Sequence, residues 1–170
     1  MGYDPIKYWT NRKILQRNEP PGWGMQYIAD HLIGDTVLDF GTGDGGKLKL
    51  FTGRKVSGVD IVDTNRELAI RIASQYGIDY KHYIGDLEGF QSRSFDTVVC
   101  SKVLLHIPPN NISRTIDELI RVSNKRIIVW DTATPTKSQH CFNHPFNKYF
   151  TMQNVVIING HLAFYMDIRT

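Results

Sequence analysis

The sequence predicts a single α/β domain: a doubly wound, mostly parallel sheet of about seven strands that ends in an antiparallel hairpin. Short apolar runs alternate with segments of helical periodicity from residue 36 to about residue 131. The run RIIVW at 126–130 is uniformly apolar, as strands covered on both faces tend to be. Near the C-terminus, two strand patterns are joined by Asn159-Gly160, a strong hairpin signal.

The individual elements follow from their apolar spacing and their end signals. Strands are expected at 36–40, 56–61, 80–84, 95–100 and 126–130, and helices at 23–32, 46–53, 64–76 and after 108–111. Thr64 and Glu67 have the spacing of a capping box, which predicts that the third helix begins at Thr64. Gly77 is expected to end that helix, because glycine adopts the left-handed conformation of a helix C-cap at little cost.

Length and composition favour one soluble domain over 1–170, with an N-terminal segment at 1–35 and the sheet at 36–170. The chain has 170 residues, of which 41% are hydrophobic and 22% charged. A chain of this length can bury a core without disulfides or metals. No apolar run approaches the roughly 20 residues that span a bilayer, so no membrane association is expected.

Charge and cysteine usage indicate the compartment and exclude some partners. The N-terminus lacks the apolar region of a signal peptide. The two cysteines, Cys100 and Cys141, lie outside any CxxC pair, so a reduced, cytoplasmic location without a zinc framework is expected. Since the net charge is only +3 and there is no dense basic block, a nucleic-acid partner is not expected.

The turn after the first strand carries the strongest chemical signal. Residues 41–46 read Gly-Thr-Gly-Asp-Gly-Gly, which fits G-x-G-x-x-G between a strand and a helix. Glycines there let a ligand approach the backbone amides. Asp60 ends the second strand 19 residues after Gly41, where it can accept both hydroxyls of a ribose. A nicotinamide-binding protein and a methyltransferase fit these features equally.

Two further carboxylates favour the methyltransferase. Asp39 lies two residues before the first glycine, where a carboxylate would repel a pyrophosphate but suits a cationic ligand. Asp86 follows the third strand, where it can accept a hydrogen bond from the exocyclic amine of adenine. Asp39, Asp60 and Asp86 each also have a structural interpretation, since aspartate readily bonds turn amides.

VLDFGTGDGG, GVDIVD, IGDLE and FDTVVCSKVLLHIPP together resemble the class I, Rossmann-like methyltransferases that use S-adenosylmethionine. The resemblance covers residues 36 to 131, and VLLHIPP resembles the small-molecule branch that includes quinone-biosynthesis enzymes. It implies methyl transfer by in-line displacement to a small organic acceptor. It also implies that the methionine part of the cofactor is contacted by Asp39, Gly41, Thr42, Gly43 and Asp44. The ribose would be contacted by Asp60 and Ile61, and the adenine by Asp86 and Leu87. Ser101 and Lys102 would line the methionine side.

Three histidines are candidate general bases, should the acceptor have to lose a proton. His106 lies in the loop after the fourth strand, near the expected acceptor site, although a structural hydrogen bond would also explain it. His140 and His144 lie in a stretch that resembles a segment placed over the acceptor site in some family members. A metal site at His140, Cys141 and His144 is not expected, because Pro145 disfavours a helix through these residues; Pro145 is expected to begin a short helix through 150.

The N-terminal segment is aromatic, and two roles remain open for it. A helix from about residue 23 to 32 would pack Tyr27 and Ile28 on the sheet. Residues 8–12 would form the tip of a lid over the cofactor, where Arg12 could pair with the methionine carboxylate.

Other functions remain open on the sequence alone. They are methylation of a nucleic acid or a protein side chain, a non-catalytic S-adenosylmethionine-binding partner subunit and, less favoured, a nicotinamide-dependent reductase. The oligomeric state is not predicted.

Overall fold

A computed structural model describes residues 3–11, 22–134, 138 and 140–169 of the chain. The strands are β1 (Thr36–Phe40), β2 (Lys55–Asp60), β3 (Asp79–Ile84), β4 (Phe95–Ser101), β5 (Ser123–Thr132), β6 (Gln153–Ile158) and β7 (His161–Asp167). The helices are α1 (Pro5–Thr10), α2 (Trp23–His31), α3 (Arg66–Gln75) and α4 (Ile112–Val122). None of these helices combines the length and apolarity needed to span a bilayer.

All seven strands form one sheet in the order β3-β2-β1-β4-β5-β7-β6. The first five strands are parallel to one another, and β7 is antiparallel to both β5 and β6. The chain winds outward from β1 to β3, crosses back to β4 and winds outward again in the opposite direction. The structure therefore confirms the predicted doubly wound sheet with its C-terminal hairpin.

Apolar cores lie on both faces of the sheet because alternate strand residues point to opposite sides. On one face, β1 and β4 contribute Val37 and Val99 to a core that also contains side chains of α2, α3 and a 3₁₀ turn at Leu48–Phe51. The other face packs against α4 and an aromatic cluster, which consists of Phe146, Phe150 and Phe164. Most rings of the 142–150 stretch therefore belong to the core.

One helix start differs from the prediction. The α3 helix begins at Arg66, and its N-cap residue, Asn65, makes no side-chain capping bond. The capping box at Thr64 and Glu67 is therefore wrong: the Thr64 hydroxyl donates to the Thr10 carbonyl of α1, 3.4 Å away. Gly77 follows the helix with a φ of 62°, as expected.

Two short elements were missed or misplaced. The α1 helix was not predicted, although Asp4 caps it by accepting a bond from the Lys7 amide and Pro5 occupies its first turn. Pro145 does not begin a helix through residue 150; it precedes a single 3₁₀ turn at Phe146–Lys148.

The C-terminal hairpin ends the sheet with an irregular edge. Asn159 and Gly160 both have positive φ, at 49° and 75°, as a two-residue hairpin turn of this type requires. The register of β6 against β7 shifts between Gln153 and Val156, and Asn154 there has a φ of 49°. The outermost strand is therefore bulged.

The contact between α2 and the sheet predicts a specific packing defect. A Cβ on Gly24 would lie 2.1 Å from the indole of Trp130, so Gly24→Ala forces α2 away from β5. We expect a loss of about 1–3 kcal/mol in the free energy of unfolding, measured by urea denaturation. Gly89→Ala, where a Cβ meets nothing within 4 Å, is the control and should change little. Equal effects of the two variants would contradict the packing described here.

Candidate active site

A cavity of about 420 Å³ opens at the carboxyl ends of the strands, between the loops that follow β1 and β4. Ligands bind at this position in open α/β sheets because neighbouring loops diverge where the winding reverses. Nine of the predicted site residues line the cavity: Gly41, Thr42, Gly43, Asp44, Asp60, Ile61, Ser101, Lys102 and His106.

The glycine-rich turn forms one wall, and the Asp60 carboxylate fixes its shape. Gly41 and Gly43 have φ values of 70° and 55°, which favour glycine. Asp60 accepts hydrogen bonds from the amides of Gly43, at 2.9 Å, and Val62, at 3.2 Å. The structural interpretation of Asp60 therefore holds. It is compatible with ligand binding, because a carboxylate offers about four acceptor positions and Asp60 also lines the cavity.

Asp39 lies beneath the turn rather than on the cavity wall. Its side chain is fully buried, and its oxygens accept no hydrogen bond from the described residues. The Lys47 ammonium lies 3.5 Å from the Oδ1 atom of Asp39 and also 3.5 Å from the Gly41 carbonyl. Burial raises the pKa of Asp39 to about 6, although the positive charge of Lys47 opposes this shift. Lys47 lines the cavity and Asp39 does not, so Asp39 lies behind the wall, and its role in binding the methionine part of a cofactor stays a prediction.

The two residues predicted for the adenine do not line the cavity either. The exposed Asp86 accepts a hydrogen bond from the Glu88 amide through Oδ1, at 3.1 Å, which is the turn contact that its structural interpretation describes. The Leu87 side chain is buried in the core. Gly85 is the residue of this turn that reaches the cavity.

The opposite wall begins with Ser101 and Lys102 at the end of β4. Lys102 has a φ of 59°, a strained value for a non-glycine residue, and its amide donates to the Trp130 carbonyl. Its ammonium lies 2.6 Å from the His161 Nδ1 atom. Burial lowers the pKa of both side chains, so this wall carries a lysine that gives up its proton more readily than usual.

His106 lies on the same wall, in a 3₁₀ turn at Leu104–His106. The buried Asp131 carboxylate accepts from the Leu105 amide and so holds this turn against β5. Burial raises the pKa of Asp131 to about 6. The His106 Nδ1 atom donates to the His140 carbonyl, 2.9 Å away, so Nε2 is the basic nitrogen of the neutral ring.

The other two histidines lie behind the wall. His140 contacts the Tyr8 hydroxyl through Nε2, at 3.0 Å, and the Ser138 hydroxyl through Nδ1, at 2.7 Å. His144 is only 7% exposed and donates to the Ile107 carbonyl, and burial lowers its pKa. His144 therefore supports the 104–107 segment, and neither ring lines the cavity.

The N-terminal segment contributes to the cavity through α1. Pro5 and Trp9 line it, and the Trp9 ring contacts His106 edge-on with centroids 4.8 Å apart. Arg12, expected to pair with the cofactor's carboxylate, lies outside the described residues. The predicted α2 is present, with Tyr27 and Ile28 buried on the sheet.

Sequence reasoning missed several lining residues, of which Lys47 is the clearest. Lys47 directly follows the glycine motif, and its closeness to the acidic end of β1 could have indicated that it belongs to the site. Asn65, Asn111 and Thr115 give no such signal, because they reach the cavity from the ends of α3 and α4.

The pairing of Lys47 with Asp39 predicts a stability defect that depends on pH. Lys47→Met leaves a buried carboxylate without its counter-ion, and we expect a loss of about 3 kcal/mol in unfolding free energy at pH 8. The loss should be smaller at pH 5. The pKa of Asp39 is about 6 in the fold against 3.8 for the free side chain, and removing the Lys47 charge raises it further, so the unfavourable ionised form is largely lost at pH 5 with or without Lys47.

Urea denaturation at both pH values measures this effect, with Lys49→Met as the matched control. Lys49 lies two residues further along the chain and has no ion pair with a described residue. Equal losses at pH 5 and pH 8 would show that the charge of Lys47 does not act on Asp39.

The chain is similar in sequence to curated methyltransferases. A ubiquinone biosynthesis O-methyltransferase from Xanthomonas oryzae pv. oryzae (strain PXO99A) is 33% identical over 65% of this chain and 50% of its own length. The chain thus spans about half the length of that relative.

Solved structures share the fold. The 1,6-didemethyltoxoflavin-N1-methyltransferase of Burkholderia thailandensis, determined with 1,6-didemethyltoxoflavin and S-adenosylhomocysteine, has a TM-score of 0.70 and 16% identity, over 87% of this chain and 79% of that one. A geranyl diphosphate methyltransferase in complex with SAM has a TM-score of 0.71 and 18% identity, over 85% and 84%. The family model described as a methyltransferase domain matches residues 37–126, which are 90 of the 170 residues. The chain belongs to this family of methyltransferase domains.

Proposed function

We propose that the chain transfers a methyl group from S-adenosylmethionine to a small organic acceptor in the cytoplasm. The observation that carries the proposal is the cavity at the point where the winding reverses, with the glycine turn and Asp60 on one wall and His106 on the other. The free thiols of Cys100 and Cys141 are consistent with a reduced compartment.

The β1 side of the cavity fits the cofactor. Asp60 would accept the ribose hydroxyls with its remaining lone pairs, and Ile61, which is 39% exposed, offers apolar surface to the adenine. Asp86 would reach the adenine amine through Oδ2, since Oδ1 holds the Glu88 amide, and Leu87 would act through its main chain. When bound, the cofactor supplies an activated methyl group and leaves as a neutral thioether.

The methionine end would lie against the glycine turn. Gly41, Thr42, Gly43 and Asp44 line it, and Ser101 and Lys102 face them across the cavity. Lys47 is well placed to bind a carboxylate there, while Asp39 beneath it compensates the added positive charge. Arg12 stays in the proposal as a second partner of that carboxylate.

The α1 side fits an apolar acceptor. Trp9, Ile107 and Pro108 form an apolar wall next to His106. An oxygen nucleophile is favoured because the matched relatives are named O-methyltransferases. For a hydroxyl acceptor, His106 would take the proton through Nε2. His140 and His144 would position His106 and its turn, and α1 would act as the lid over the acceptor.

Cofactor binding tests the first half of the proposal. Isothermal titration calorimetry should show binding of S-adenosylhomocysteine and none of NADH. Asp60→Ala should weaken binding roughly 10- to 100-fold, because it removes charged hydrogen bonds to the ribose. Asp63→Ala is the control, since Asp63 is exposed three residues further along. Binding of NADH alone would favour a reductase, and unchanged affinity in Asp60→Ala would exclude its ribose role.

Turnover tests the second half. His106→Ala should lower kcat about 100-fold for a hydroxyl acceptor, because it removes the general base, and should leave the affinity for S-adenosylhomocysteine within about twofold. Release of S-adenosylhomocysteine is measured with a panel of small phenols and hydroxylated aromatic acids. His82→Ala, on β3, is the control. Unchanged turnover in His106→Ala would remove this residue from catalysis.

A further inference from the structure

We propose that His106, His140 and Cys141 form a binding site for a divalent metal ion of borderline softness, with Zn²⁺ as the best match. His140 and Cys141 follow His106 by 34 and 35 positions in the sequence. The fold brings them together so that one ligand atom from each lies within 4.8 Å of the other two. All three are partly buried.

A backbone hydrogen bond joins the two segments of the cluster, from the Phe142 amide to the Leu105 carbonyl at 2.6 Å. The His106 ring adds a side-chain bond, from Nδ1 to the His140 carbonyl, which a metal ion at Nδ1 would replace. As a result, the Cys141 Sγ atom lies 3.8 Å from the His106 Nδ1 atom. In a tetrahedral zinc site, metal–ligand distances near 2.3 Å for sulfur and 2.1 Å for nitrogen separate the ligand atoms by about 3.5 Å. The Cys141–His106 pair lies close to that separation, whereas the other ligand atoms lie up to 4.8 Å apart, so the side chains must move closer together to bind a metal.

The chemistry of the ligands favours zinc over magnesium or calcium. One thiolate and two imidazoles are soft or borderline ligands, whereas magnesium and calcium prefer oxygen. Three protein ligands leave a fourth coordination position open, as in catalytic and regulatory zinc sites rather than closed structural ones.

An outer shell of hydroxyl groups surrounds the His140 ring. The Ser138 hydroxyl lies 2.7 Å from Nδ1, and the Tyr8 hydroxyl lies 3.0 Å from Nε2. Whichever nitrogen binds the metal, the other keeps a hydroxyl partner that fixes the ring, as the outer shells of metal-bound histidines do. The Tyr8 ring also stacks on His140, with centroids 4.4 Å apart, and shields the cluster.

The metal would change the proton chemistry of His106, a consequence that rests on the proposed function. The nitrogen of His106 that faces Cys141 is Nδ1. When Nδ1 binds the metal, it loses its proton, and the neutral ring carries its proton on Nε2. The cavity then faces a hydrogen-bond donor instead of a base. Zinc at this cluster therefore inhibits any methyl transfer that needs His106 to accept a proton.

Binding is tested on the full chain with Co²⁺, which reports a thiolate ligand by its charge-transfer absorption, followed by displacement with Zn²⁺. We expect the absorption in the wild type and its loss in Cys141→Ser. The affinity for Zn²⁺ should fall at least about 100-fold in Cys141→Ser and His140→Gln, and about tenfold in Ser138→Ala. Cys100→Ser is the control, because Cys100 is fully buried in the core. Far-UV circular dichroism and thermal melting identify any variant that fails to fold.

Two results would overturn the site: no charge-transfer absorption in the wild type, or equal zinc affinity in the wild type and Cys141→Ser. Saturating zinc should suppress turnover of the wild type and spare Cys141→Ser. Full wild-type turnover with zinc bound would overturn the link to Nε2. A chain that binds Co²⁺ but not S-adenosylhomocysteine would retain the metal site and refute the proposed function, so the two failures are distinguishable.

Discussion

The cavity depends on one topological constraint, the reversal of winding between β1 and β4. These neighbouring strands are parallel, and the chain leaves their carboxyl ends in opposite directions. Their loops must therefore part and expose backbone amides and side chains that a sheet wound in one direction would cover. Two buried carboxylates stabilise the two sides. Asp39 holds Lys47 under the glycine turn, and Asp131 holds the turn that carries His106.

These carboxylates also fix the electrostatics of the site. Burial raises the pKa of both Asp39 and Asp131 to about 6, so each carries its charge at neutral pH at some cost to folding. Each group organises a wall of the cavity. Lys102 is a third unfavourable feature of the site, because its backbone is left-handed and its ammonium lies beside His161. Strain of this kind concentrates at functional sites.

The sequence was sufficient to predict the sheet, its hairpin and nine of the residues that line the cavity. Strand ends were readable because apolar runs end at glycines and acidic residues, and these ends converge at one edge of a parallel sheet. The direction in which each side chain points could not be predicted from the sequence. Asp39 and Asp86 both lie at strand ends where they could contact a ligand, but Asp39 lies beside Lys47 and Asp86 bonds an amide of its own turn. Contacts between distant segments were also beyond reach. Thr64 was assigned to its own helix because its bond to the Thr10 carbonyl joins elements 54 positions apart, and the His106, His140 and Cys141 cluster has no spacing pattern.

The bulge in β6 has a consequence for how the molecule meets other chains. This outermost strand displays Val155, Ile157 and Ile158, with Ile157 63% exposed. A straight apolar edge is a template on which foreign strands stack into fibres. The shifted register and the left-handed Asn154 bend the ladder just where such stacking would have to continue. The bulge thus interrupts, on this apolar edge, the regular ladder that the addition of a foreign strand requires.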